Sequence, residues 1–561
     1  MPKAIIDGRE IEFEEGETIL EAALRNGINI PHLCFNKRLR VKGRCRQCIV
    51  EVDGRIVASC TTRLREGMHI ITDNEKIREY RKINLDLLKS RINTSQILED
   101  EEILEYLEEE GLFEEKLLSL PIDNSSPAIV RNPNICILCG RCVAMCNEQS
   151  VGAINYAYRS INTVIIPAFM DEINNTVCST CGQCTLVCPT GAIREKEDID
   201  RVMEALNDKD KHVIIQTAPS IRASLGELFG LPPGTLVTGK MVTALRLLGF
   251  DMVFDTDLGA DLTTFEEAHE LWHRINNNGV LPMTTSCCPA WIKFMEHFYP
   301  DLAPHVSTCK SPHEMFGAIA KSYYAKLRGI DPSRIVVVSA MPCTAKKFEA
   351  QRQELTNDGY RNVDYVLTTR EIARMIKEKG IDFNSLEESE FDKPLGISSG
   401  AGAIYGATGG VTESVLRTLA WIAGEELEKI EYREVRGMEG VREAEIRIKD
   451  KKIKICIVHG LGNARKIMEK VRNKQVEYHF IEVMACPGGC IGGGGQPKSN
   501  DINILRKRAM ALYTQDKKLK IRKAHENPIV RRIYDEFLEK PLSEKAHKYL
   551  HTSYIDRTPK V

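Results

Sequence analysis

Four cysteines in three distant segments are the expected ligands of a single iron-sulfur cluster. Cys288 lies in T-S-C-C-P-A-W, Cys343 in M-P-C-T-A-K-K-F-E, and both Cys486 and Cys490 in M-A-C-P-G-G-C-I-G-G-G-G-Q-P. Cysteine thiolates are the usual ligands of such clusters. Because no single segment carries four ligands, the chain must fold so that three loops meet. The flanking residues predict that this cluster takes part in chemistry.

A repeated cysteine pattern predicts electron-carrying clusters in the N-terminal third. The spacing C-x2-C-x2-C-x3-C occurs twice, first at Cys136, Cys139, Cys142 and Cys146, and again at Cys178, Cys181, Cys184 and Cys188. In two-cluster ferredoxins the fourth cysteine of each run binds the other cluster, so we expect Cys188 to complete the first site and Cys146 the second. Zinc is the alternative metal, but the doubled spacing and the proline after Cys188 favour two 4Fe-4S clusters.

The first 72 residues contain a further set of four cysteines, Cys34, Cys45, Cys48 and Cys60. An alternating hairpin with Asp7-Gly8 at its turn precedes them, followed by the helical segment T-I-L-E-A-A-L-R-N-G. This context resembles plant-type ferredoxins, and Gly43 allows a close approach of the backbone. We therefore predict a 2Fe-2S cluster, with a structural zinc site as the alternative.

Composition limits the class of protein. The chain has 561 residues, 43% of them hydrophobic, which is enough for several domains, and its net charge of -2 gives no reason to expect nucleic acid or an anionic membrane as partner. The first residues lack a signal sequence and no run of about 18 apolar residues occurs, so we expect a cytoplasmic protein. In that reducing compartment its 19 cysteines are expected to be ligands rather than disulfides. Cys309 and Cys456 stand outside any ligand pattern and are predicted to be small buried apolar residues.

The elements that must position these cysteines divide the chain into five parts. We predict a 2Fe-2S plant-type ferredoxin-like domain (1–72), a helical segment and linker (73–125), a two-4Fe-4S ferredoxin-like domain (126–198), a catalytic domain (199–503) and a C-terminal segment (504–561). From residue 199 onwards strand-like runs such as H-V-I-I-Q-T-A-P alternate with helical segments. The predicted fold class is therefore multidomain α+β and α/β. Because ligands bind at the carboxyl ends of strands in open α/β sheets, we expect the site between two lobes of the catalytic domain.

The three cysteine segments together resemble the signatures of the iron-iron (FeFe) hydrogenases, and the resemblance covers nearly the whole chain. It implies an H-cluster, in which a 4Fe-4S cubane is joined through one cysteine sulfur to a two-iron unit with carbon monoxide, cyanide and a bridging dithiolate amine. By position, Cys288, Cys343, Cys486 and Cys490 match the cubane ligands, and Cys490 matches the bridging thiolate. Cys287 remains free and matches the cysteine that passes protons to the amine. An inert buried thiol is the alternative.

The resemblance also implies a proton route. The segment D-L-T-T-F-E-E-A-H-E-L-W-H-R resembles the proton-path helix of the family, with Glu267 and Glu270 three residues apart and Arg274 one turn beyond. Ser307 matches the hydroxyl between the two carboxylates. Without the resemblance, such a glutamate pair would be typical of a solvated helix face.

Further matches surround the expected two-iron unit, where the cyanide and carbonyl ligands need a few donors and a dry apolar shell. Lys346 is the candidate cation. The donors and soft packing residues implied by the resemblance are Ala218, Pro219, Ser220, Met341 and Met484. Residues 492–495 are all glycine, which would let the backbone pass close to the cubane.

The chain departs from the family pattern in three places. No cysteine lies between Cys60 and Cys136, so the 4Fe-4S cluster with one histidine and three cysteine ligands is expected to be absent, and N-L-D-L-L in 73–125 to be a remnant of its helical scaffold. His313 stands where glutamine is usual, and Tyr405 where phenylalanine is usual; both are expected near the two-iron unit. The acidic run from Glu99 to Glu115 predicts a solvated helix face. Residues 504–561 resemble the family's C-terminal wrap around the catalytic domain.

The predicted function is reversible conversion of protons and electrons into dihydrogen, with electrons relayed through the 2Fe-2S and 4Fe-4S clusters. Ferredoxin is the first partner expected. The 2Fe-2S module also resembles the large iron-sulfur subunit of NADH dehydrogenases, so the partners can instead be subunits of an electron-bifurcating NAD(P)-linked complex or of a formate dehydrogenase complex. No dinucleotide fingerprint is visible, so a flavin or NAD(P) site is expected in another subunit. Maturation proteins are expected to supply the two-iron unit. The rival function is a hydrogen sensor or a cluster-assembly protein.

Overall fold

The computed structural model describes residues 1–97, 101–107, 119–425, 431–499 and 501–559. The predicted acidic helix from Glu99 to Glu115 lies mostly outside these ranges. None of the helices in the described ranges combines the length and apolar composition that a bilayer crossing requires.

The N-terminal domain is a five-stranded sheet packed against one helix. Its elements are β1 (Lys3–Ile6), β2 (Arg9–Glu12), α1 (Ile19–Arg25), β3 (Ile49–Val52), β4 (Arg55–Ala58) and β5 (His69–Ile71). The strand order is β2-β1-β5-β3-β4. Asp7 and Gly8 have φ of 48° and 79°, which is the geometry of a tight hairpin turn, as their sequence predicts. Thr18 and Glu21 form a capping box that begins α1.

The segment after this domain, residues 73–125, contains two α-helices in its described part. Its two helices are α2 (Glu75–Lys89) and α3 (Leu104–Leu107). The side chain of Asn74 caps α2 by accepting a hydrogen bond from the amide of Ile77.

The two cysteine repeats fold into matching halves. Their elements are β6 (Ile129–Arg131), α4 (Arg141–Glu148), β7 (Asn155–Ala157), β8 (Val164–Ile166), α5 (Gln183–Val187) and β9 (Ile193–Glu195). Strand β6 pairs with β9, and β7 with β8. The helices α4 and α5 begin directly after Gly140 and Gly182, whose φ values of 78° and 68° place both in the left-handed region.

The catalytic domain contains two four-stranded sheets. Its strands are β10 (His212–Thr217), β11 (Met252–Asp255), β12 (Met283–Thr284), β13 (Ile335–Met341), β14 (Thr356–Asn357), β15 (Tyr360–Arg361), β16 (Tyr365–Thr368), β17 (Val441–Ile448), β18 (Lys451–His459) and β19 (Phe480–Met484). Its helices are α6 (Ile199–Asn207), α7 (Thr238–Leu248), α8 (Asp257–Asn276), α9 (Pro289–Phe298), α10 (Pro312–Ile319), α11 (Ala325–Arg328), α12 (Ala345–Glu349), α13 (Thr369–Glu378), α14 (Gly400–Ala403), α15 (Gly410–Ile422) and α16 (Leu461–Arg472).

The two sheets give the domain its two lobes. The first sheet has the order β11-β10-β13-β16 and is parallel throughout. The second has the order β12-β19-β18-β17, and only β17 runs antiparallel to its neighbour. The three cysteine segments follow β12, β13 and β19, so both sheets bring a carboxyl end to the same crevice, as the sequence predicts.

The C-terminal segment packs onto this domain through α17 (Ile502–Lys518), α18 (Pro528–Ile533) and α19 (Glu544–Leu550). His551 forms an isolated bridge with Cys309, and the amide of Lys310 donates to the carbonyl of Leu550. The segment therefore covers the side of the domain where residues 307–310 lie.

Candidate active site

A cavity of about 550 Å³ lies between the two lobes. The predicted residues that line it are Ala218, Pro219, Ser220, Cys287, Cys288, His313, Met341, Cys343, Lys346, Tyr405, Met484 and Cys490. The crevice thus brings together residues that lie up to 272 positions apart, from Ala218 to Cys490. We call it the site cavity.

Local structure explains how the thiols reach this cavity. The Cys287-Cys288 pair follows β12, and Cys288 is the N-cap of α9, which begins with Pro289. Cys343 lies in the short turn between β13 and α12, and Cys486 and Cys490 follow β19. Each side chain is therefore held at the end of a buried strand.

The four predicted cubane ligands form one electrostatic cluster. Burial raises the pKa of Cys486 well above its ordinary value, and the charges of Cys343 and Cys288 raise it further. The amide of Ala485 donates to Cys288 Sγ at 3.4 Å. Four converging sulfurs beside a largely apolar cavity fit the donor set and the space of a cubane joined to a second unit.

The glycine run beside these ligands packs against the ferredoxin-like domain. A Cβ at Gly494 would lie 2.7 Å from the carbonyl oxygen of Cys181, so only glycine allows this approach. Gln183 Nε2 donates to the Gly492 carbonyl at 2.8 Å, and Thr185 Oγ1 to the Gly494 carbonyl at 2.9 Å. Cys181 is itself a predicted cluster ligand, so the second 4Fe-4S site adjoins the cubane site.

The ferredoxin-like domain pairs its cysteines across the two repeats. One cavity is lined by Cys136, Cys139, Cys142 and Cys188. In the other half, the charge of Cys178 acts on Cys146 and raises its pKa together with burial, which is the larger cause. This exchange of the fourth cysteine is the arrangement that the spacing predicts.

The thiols of the N-terminal domain also converge. Cys34 is in hydrogen-bond contact with Cys45 and Cys60, and Cys48 with Cys60. Cys34 and Cys45 share a hydrophobic cluster with Cys139 of the ferredoxin-like domain. The three groups of cysteines therefore form a continuous series from the N-terminal domain to the site cavity.

The predicted proton-path residues lie on the opposite side of the cavity, along α8. Ser307 Oγ donates to Glu270 Oε2 at 2.8 Å, and Arg274 Nη2 lies 2.6 Å from Glu270 Oε1. Glu267 is fully buried, and neither of its carboxylate oxygens makes a hydrogen bond of ordinary geometry to a described residue, although Ser307 and Ser286 lie near enough to act on its pKa. Burial and then the charge of Glu270 raise the pKa of Glu267 to about 8, so this carboxyl exchanges protons near neutral pH.

Cys287 lies between this helix and the cavity. Burial and then the charge of Glu267 raise the pKa of its thiol, so the thiol is protonated at neutral pH. Lys346 Nζ donates to the Cys287 carbonyl at 3.1 Å and to Glu349 Oε2 at 2.6 Å. The free thiol, the cation and the buried carboxyl are thus neighbours.

The two departures from the family pattern both line the cavity. Tyr405 Oη lies 2.8 Å from Thr264 Oγ1, so its extra hydroxyl is satisfied by α8. His313 Nε2 lies 2.8 Å from Glu349 Oε2. His313 Nδ1 has no hydrogen-bond partner among the described residues.

Some residues of the site were missed by sequence reasoning. Cys309 is buried as predicted, but its sulfur lies 3.7 Å from Glu270 Oε2, so it adjoins the carboxylate pair. Glu349 was not singled out, although it lies one turn after Lys346 and its spacing was a usable signal. Thr344 Oγ1 donates to the Thr180 carbonyl across the domain boundary at 2.9 Å, and no sequence pattern marks that contact.

Comparison with known families agrees with this geometry. The model described as iron only hydrogenase large subunit, C-terminal domain, matches residues 211–494, and the iron hydrogenase small subunit model matches 502–557. A 2Fe-2S iron-sulfur cluster binding domain matches residues 3–75, and a 4Fe-4S dicluster domain matches 135–192. The chain belongs to the iron-only (FeFe) hydrogenases.

Individual relatives match over nearly the full length. NADP-reducing hydrogenase subunit HndD of Solidesulfovibrio fructosivorans is 46% identical and covers 98% of each chain. Iron hydrogenase 1 of Clostridium pasteurianum is 42% identical over 99% of this chain and all of that one. The solved structure of an apo FeFe-hydrogenase HydA1 variant from Chlamydomonas reinhardtii is 41% identical, with a TM-score of 0.58 over 64% of this chain and 99% of that chain.

This hydrogenase is a catalytic subunit, and its cofactors are a 2Fe-2S cluster, two 4Fe-4S clusters and the H-cluster. When bound, the H-cluster supplies the metal chemistry that interconverts dihydrogen with protons and electrons. The chain supplies cysteine ligands, a water-poor cavity and titratable side chains. Because a buried site cannot accumulate uncompensated charge, each electron must be accompanied by a proton.

Proposed function

We propose that Cys287, Glu267, Ser307, Glu270 and Arg274 form the proton route of this hydrogenase. The support is a series of neighbouring groups: the charge of Glu267 acts on the Cys287 thiol, the charge of Glu270 acts on Glu267, and Glu270 is bonded to Ser307 and to the half-buried guanidinium of Arg274. Cys287 gives or takes the proton at its sulfur, and Glu267 exchanges it at a carboxyl whose pKa is about 8. Ser307 holds Glu270, and Arg274 fixes its other oxygen at the outer end.

Within the same proposal, Lys346, Ser220 and the backbone of Ala218 and Pro219 hold the cyanide ligands of the two-iron unit. Met341 and Met484 exclude water beside it. All of them line the site cavity. The proposal also includes the five domains and segments that the sequence predicts.

We also propose that the chain works as the hydrogen-converting subunit of an NAD(P)-linked complex. The support is its similarity over 98% of its length to a protein named as a subunit of an NADP-reducing hydrogenase. Such a complex belongs to the cytoplasm, where NAD(P) is available and cysteines stay reduced. The test is to purify the tagged chain with its partners from its native host and to supply hydrogen. The expected result is reduction of NADP⁺ by the complex; formate-dependent reduction instead would contradict it.

Electrons are proposed to enter and leave through the 2Fe-2S domain. The segment between Cys34 and Cys48 carries six cations and no acidic residue, and five of the cations are exposed: Lys37, Arg40, Lys42, Arg44 and Arg46. We call residues 34–48 the basic loop. Its charge suits an acidic electron carrier or an acidic face of a partner subunit, because complementary charge accelerates encounter.

Charge reversal in the basic loop tests the entry point. Lys42→Glu combined with Arg46→Glu is expected to slow hydrogen-driven reduction of an acidic ferredoxin about tenfold at low ionic strength. The rate with the small dye methyl viologen should change by less than about twofold, because the dye does not depend on a protein docking surface. The matched control reverses two exposed C-terminal lysines, Lys520 and Lys540. Equal effects of the two pairs would contradict the assignment.

A further inference from the structure

A second cavity lies next to the site cavity. Its space, including the part open to solvent, is about 290 Å³, and Lys310, Ser311 and Glu349 line it together with the half-buried Thr552 and Tyr554 of the C-terminal segment. We call it the outer cavity. None of these five residues lines the site cavity. The two cavities are therefore separate spaces in the described part of the chain.

Glu349 connects the two spaces through one carboxylate oxygen. Its Oε2 lies 2.8 Å from His313 Nε2 and 2.6 Å from Lys346 Nζ, and both of these partners line the site cavity. Although burial alone would raise it, the charge of Lys346 lowers the pKa of Glu349 to about 2. Glu349 is therefore an anion, and His313 donates to it from Nε2.

The other ring nitrogen of His313 is a buried acceptor. Burial and then the charge of Lys346 lower the pKa of His313 to about 4, so the ring is neutral and Nδ1 carries a lone pair. Nδ1 has no hydrogen-bond partner among the residues that the structure describes, although the side chain is fully buried. A polar atom in this position calls for an explanation, since buried polar atoms are normally paired.

Two further titratable groups continue from this contact toward the surface. Glu314 Oε1 lies 3.3 Å from His313 Nε2, and neither Glu314 oxygen makes a hydrogen bond of ordinary geometry within the described part of the chain, although Asn362 lies near enough to act on its pKa. Burial raises the pKa of Glu314 to about 8 and lowers the pKa of Lys310 to about 8. Lys310 Nζ donates to the half-buried Asn357 at 2.6 Å. Both groups therefore change protonation near neutral pH.

We propose that His313 and Glu349 form a second proton route, which connects the site cavity with the outer cavity beside Lys310. In the outward direction His313 takes a proton at Nδ1 and releases the proton of Nε2 to Glu349 Oε2. One N–H bond forms and one breaks, while the electrons leave through the clusters. Glu349 then passes the proton into the outer cavity. Rotation of the ring, or the reverse transfer during hydrogen evolution, restores the starting tautomer.

This route is independent of the one through Cys287 and Glu267. It depends on His313, where the FeFe-hydrogenase pattern has glutamine, an amide that cannot carry a proton in this way. It therefore follows from this chain's own sequence. Its first test rests on the proposed Glu267 route, because that route must be blocked before a parallel one becomes visible.

The test compares Glu267→Gln with the double variant that also carries His313→Gln, using hydrogen oxidation by the holoenzyme with methyl viologen. Glu267→Gln is expected to leave a small residual rate, and His313→Gln to lower that residual rate at least about tenfold further. The same substitution in the parent background is the reference, and the fold-loss of rate caused by His313→Gln should be at least about fivefold larger in the Glu267→Gln background than in the parent, because the first route then no longer carries protons. An unchanged residual rate in the double variant would overturn the proposal.

Failure of the two proposals can be told apart. If Glu267→Gln alone keeps the parent rate, the Glu267 route is wrong, and His313→Gln alone must then lower the rate for the second route to stand. The control is His525→Gln, since His525 is also buried with a pKa of about 4 but lines neither cavity. A loss of residual rate in the His525 variant equal to that in the His313 variant would overturn the proposal.

A spectroscopic readout tests the placement of His313 without turnover. The carbon monoxide and cyanide stretching bands of the holoenzyme should shift with pH around a midpoint of about 4, as His313 gains charge among Glu314, Glu349, Lys310 and Lys346. The shift should vanish in His313→Gln and persist in His525→Gln. Persistence in His313→Gln would overturn the placement. The cubane absorption and the melting temperature of each variant establish that it is folded.

Discussion

The ferredoxin-like domain and the catalytic domain both gather cysteines, but they do so in opposite ways. In the ferredoxin-like domain, three ligands of each site come from one short run, and a left-handed glycine starts the helix that holds them. In the catalytic domain, three strands from two sheets each deliver one segment, and titratable side chains such as Glu267 and His313 surround the thiols. Carrying an electron requires only ligands and proximity, whereas hydrogen chemistry also requires buried acids and bases.

Among the variants that test this difference, Cys287→Ser should have the largest effect on the rate of hydrogen evolution. A serine hydroxyl is a far weaker acid than a thiol, so proton transfer to the site should fall by about a hundredfold or more. The measurement is hydrogen evolution with reduced methyl viologen after maturation in an anaerobic host. The iron-sulfur spectra should stay unchanged, because Cys287 is not a predicted cluster ligand.

The control for Cys287→Ser is Cys456→Ser, which changes an equally free but remote buried thiol on β18. It is expected to keep most of the parent rate. Comparable activity of Cys287→Ser and the parent would defeat the proton role assigned to Cys287.

A second prediction concerns the contact that joins the two regions. Arg370 on α13 forms a buried ion pair with Glu195 on β9 and also donates to the carbonyls of Gly494 and Gln496. Arg370→Met leaves this buried carboxylate with only Arg374 as partner and should destabilise the protein by about 3–5 kcal/mol. The measurement is the thermal unfolding midpoint of the holoenzyme.

Arg374→Met is the matched control, since Arg374 lies on the same helix and pairs with the same Glu195 but is half-buried. Arg374→Met should lower the free energy of unfolding by about 1 kcal/mol. Equal losses of stability in the two variants would mean that the Arg370 ion pair is not the main contact that holds the ferredoxin-like domain against the catalytic domain.

A third prediction uses the pH dependence of stability to test the buried acid. The pKa of Glu267 is about 8 in the folded protein against 4.5 as its ordinary value. Between these values the folded state keeps a proton that the unfolded state loses, so stability falls as pH rises through this window. Glu267→Gln has no carboxyl to ionise, so its free energy of unfolding should not fall in this pH window. By pH 8 the variant should be a few kcal/mol more stable relative to the parent than at pH 4.5, at about 1.4 kcal/mol per pKa unit.

The measurement for Glu267→Gln is the thermal midpoint of variant and parent over the same pH range. Glu79→Gln, at an exposed position of α2, is the control and should run parallel to the parent. Parallel curves for Glu267→Gln as well would show that Glu267 is ionised in the folded protein at neutral pH.

The smallest effect is expected for Tyr405→Phe, which changes only the phenolic hydroxyl. It removes the hydroxyl bonded to Thr264, so the expected loss of stability is about 1 kcal/mol and the expected change in rate is below about twofold. Thermal unfolding and methyl viologen turnover measure both. A large loss of rate would place the Tyr405 hydroxyl in proton transfer and would sharpen the distinction between the two regions.

Local sequence patterns predicted the elements well. The hairpin at Asp7-Gly8, the helix α2 and the strands β10, β13 and β19 all lie where composition and periodicity indicate. Glycine turns, apolar runs and cysteine spacings act over a few residues, so they can be recognised without the fold. The residues of the site cavity were predicted through the family resemblance, since nothing local links Ser220 to Met484.

The sequence by itself predicted the ferredoxin-type clusters, because the C-x2-C-x2-C-x3-C spacing is a local property of the chain, whereas the cubane ligands were predicted through the family resemblance. Only the tertiary structure decided which buried groups have partners. Glu349 meets Lys346 one turn earlier on α12, but only the fold brings His313 of α10 to the same carboxylate, and Cys309 adjoins Glu270 of α8 although 39 positions separate them. The protonation of such groups depends on burial and on neighbours distant in sequence, and packing alone sets both.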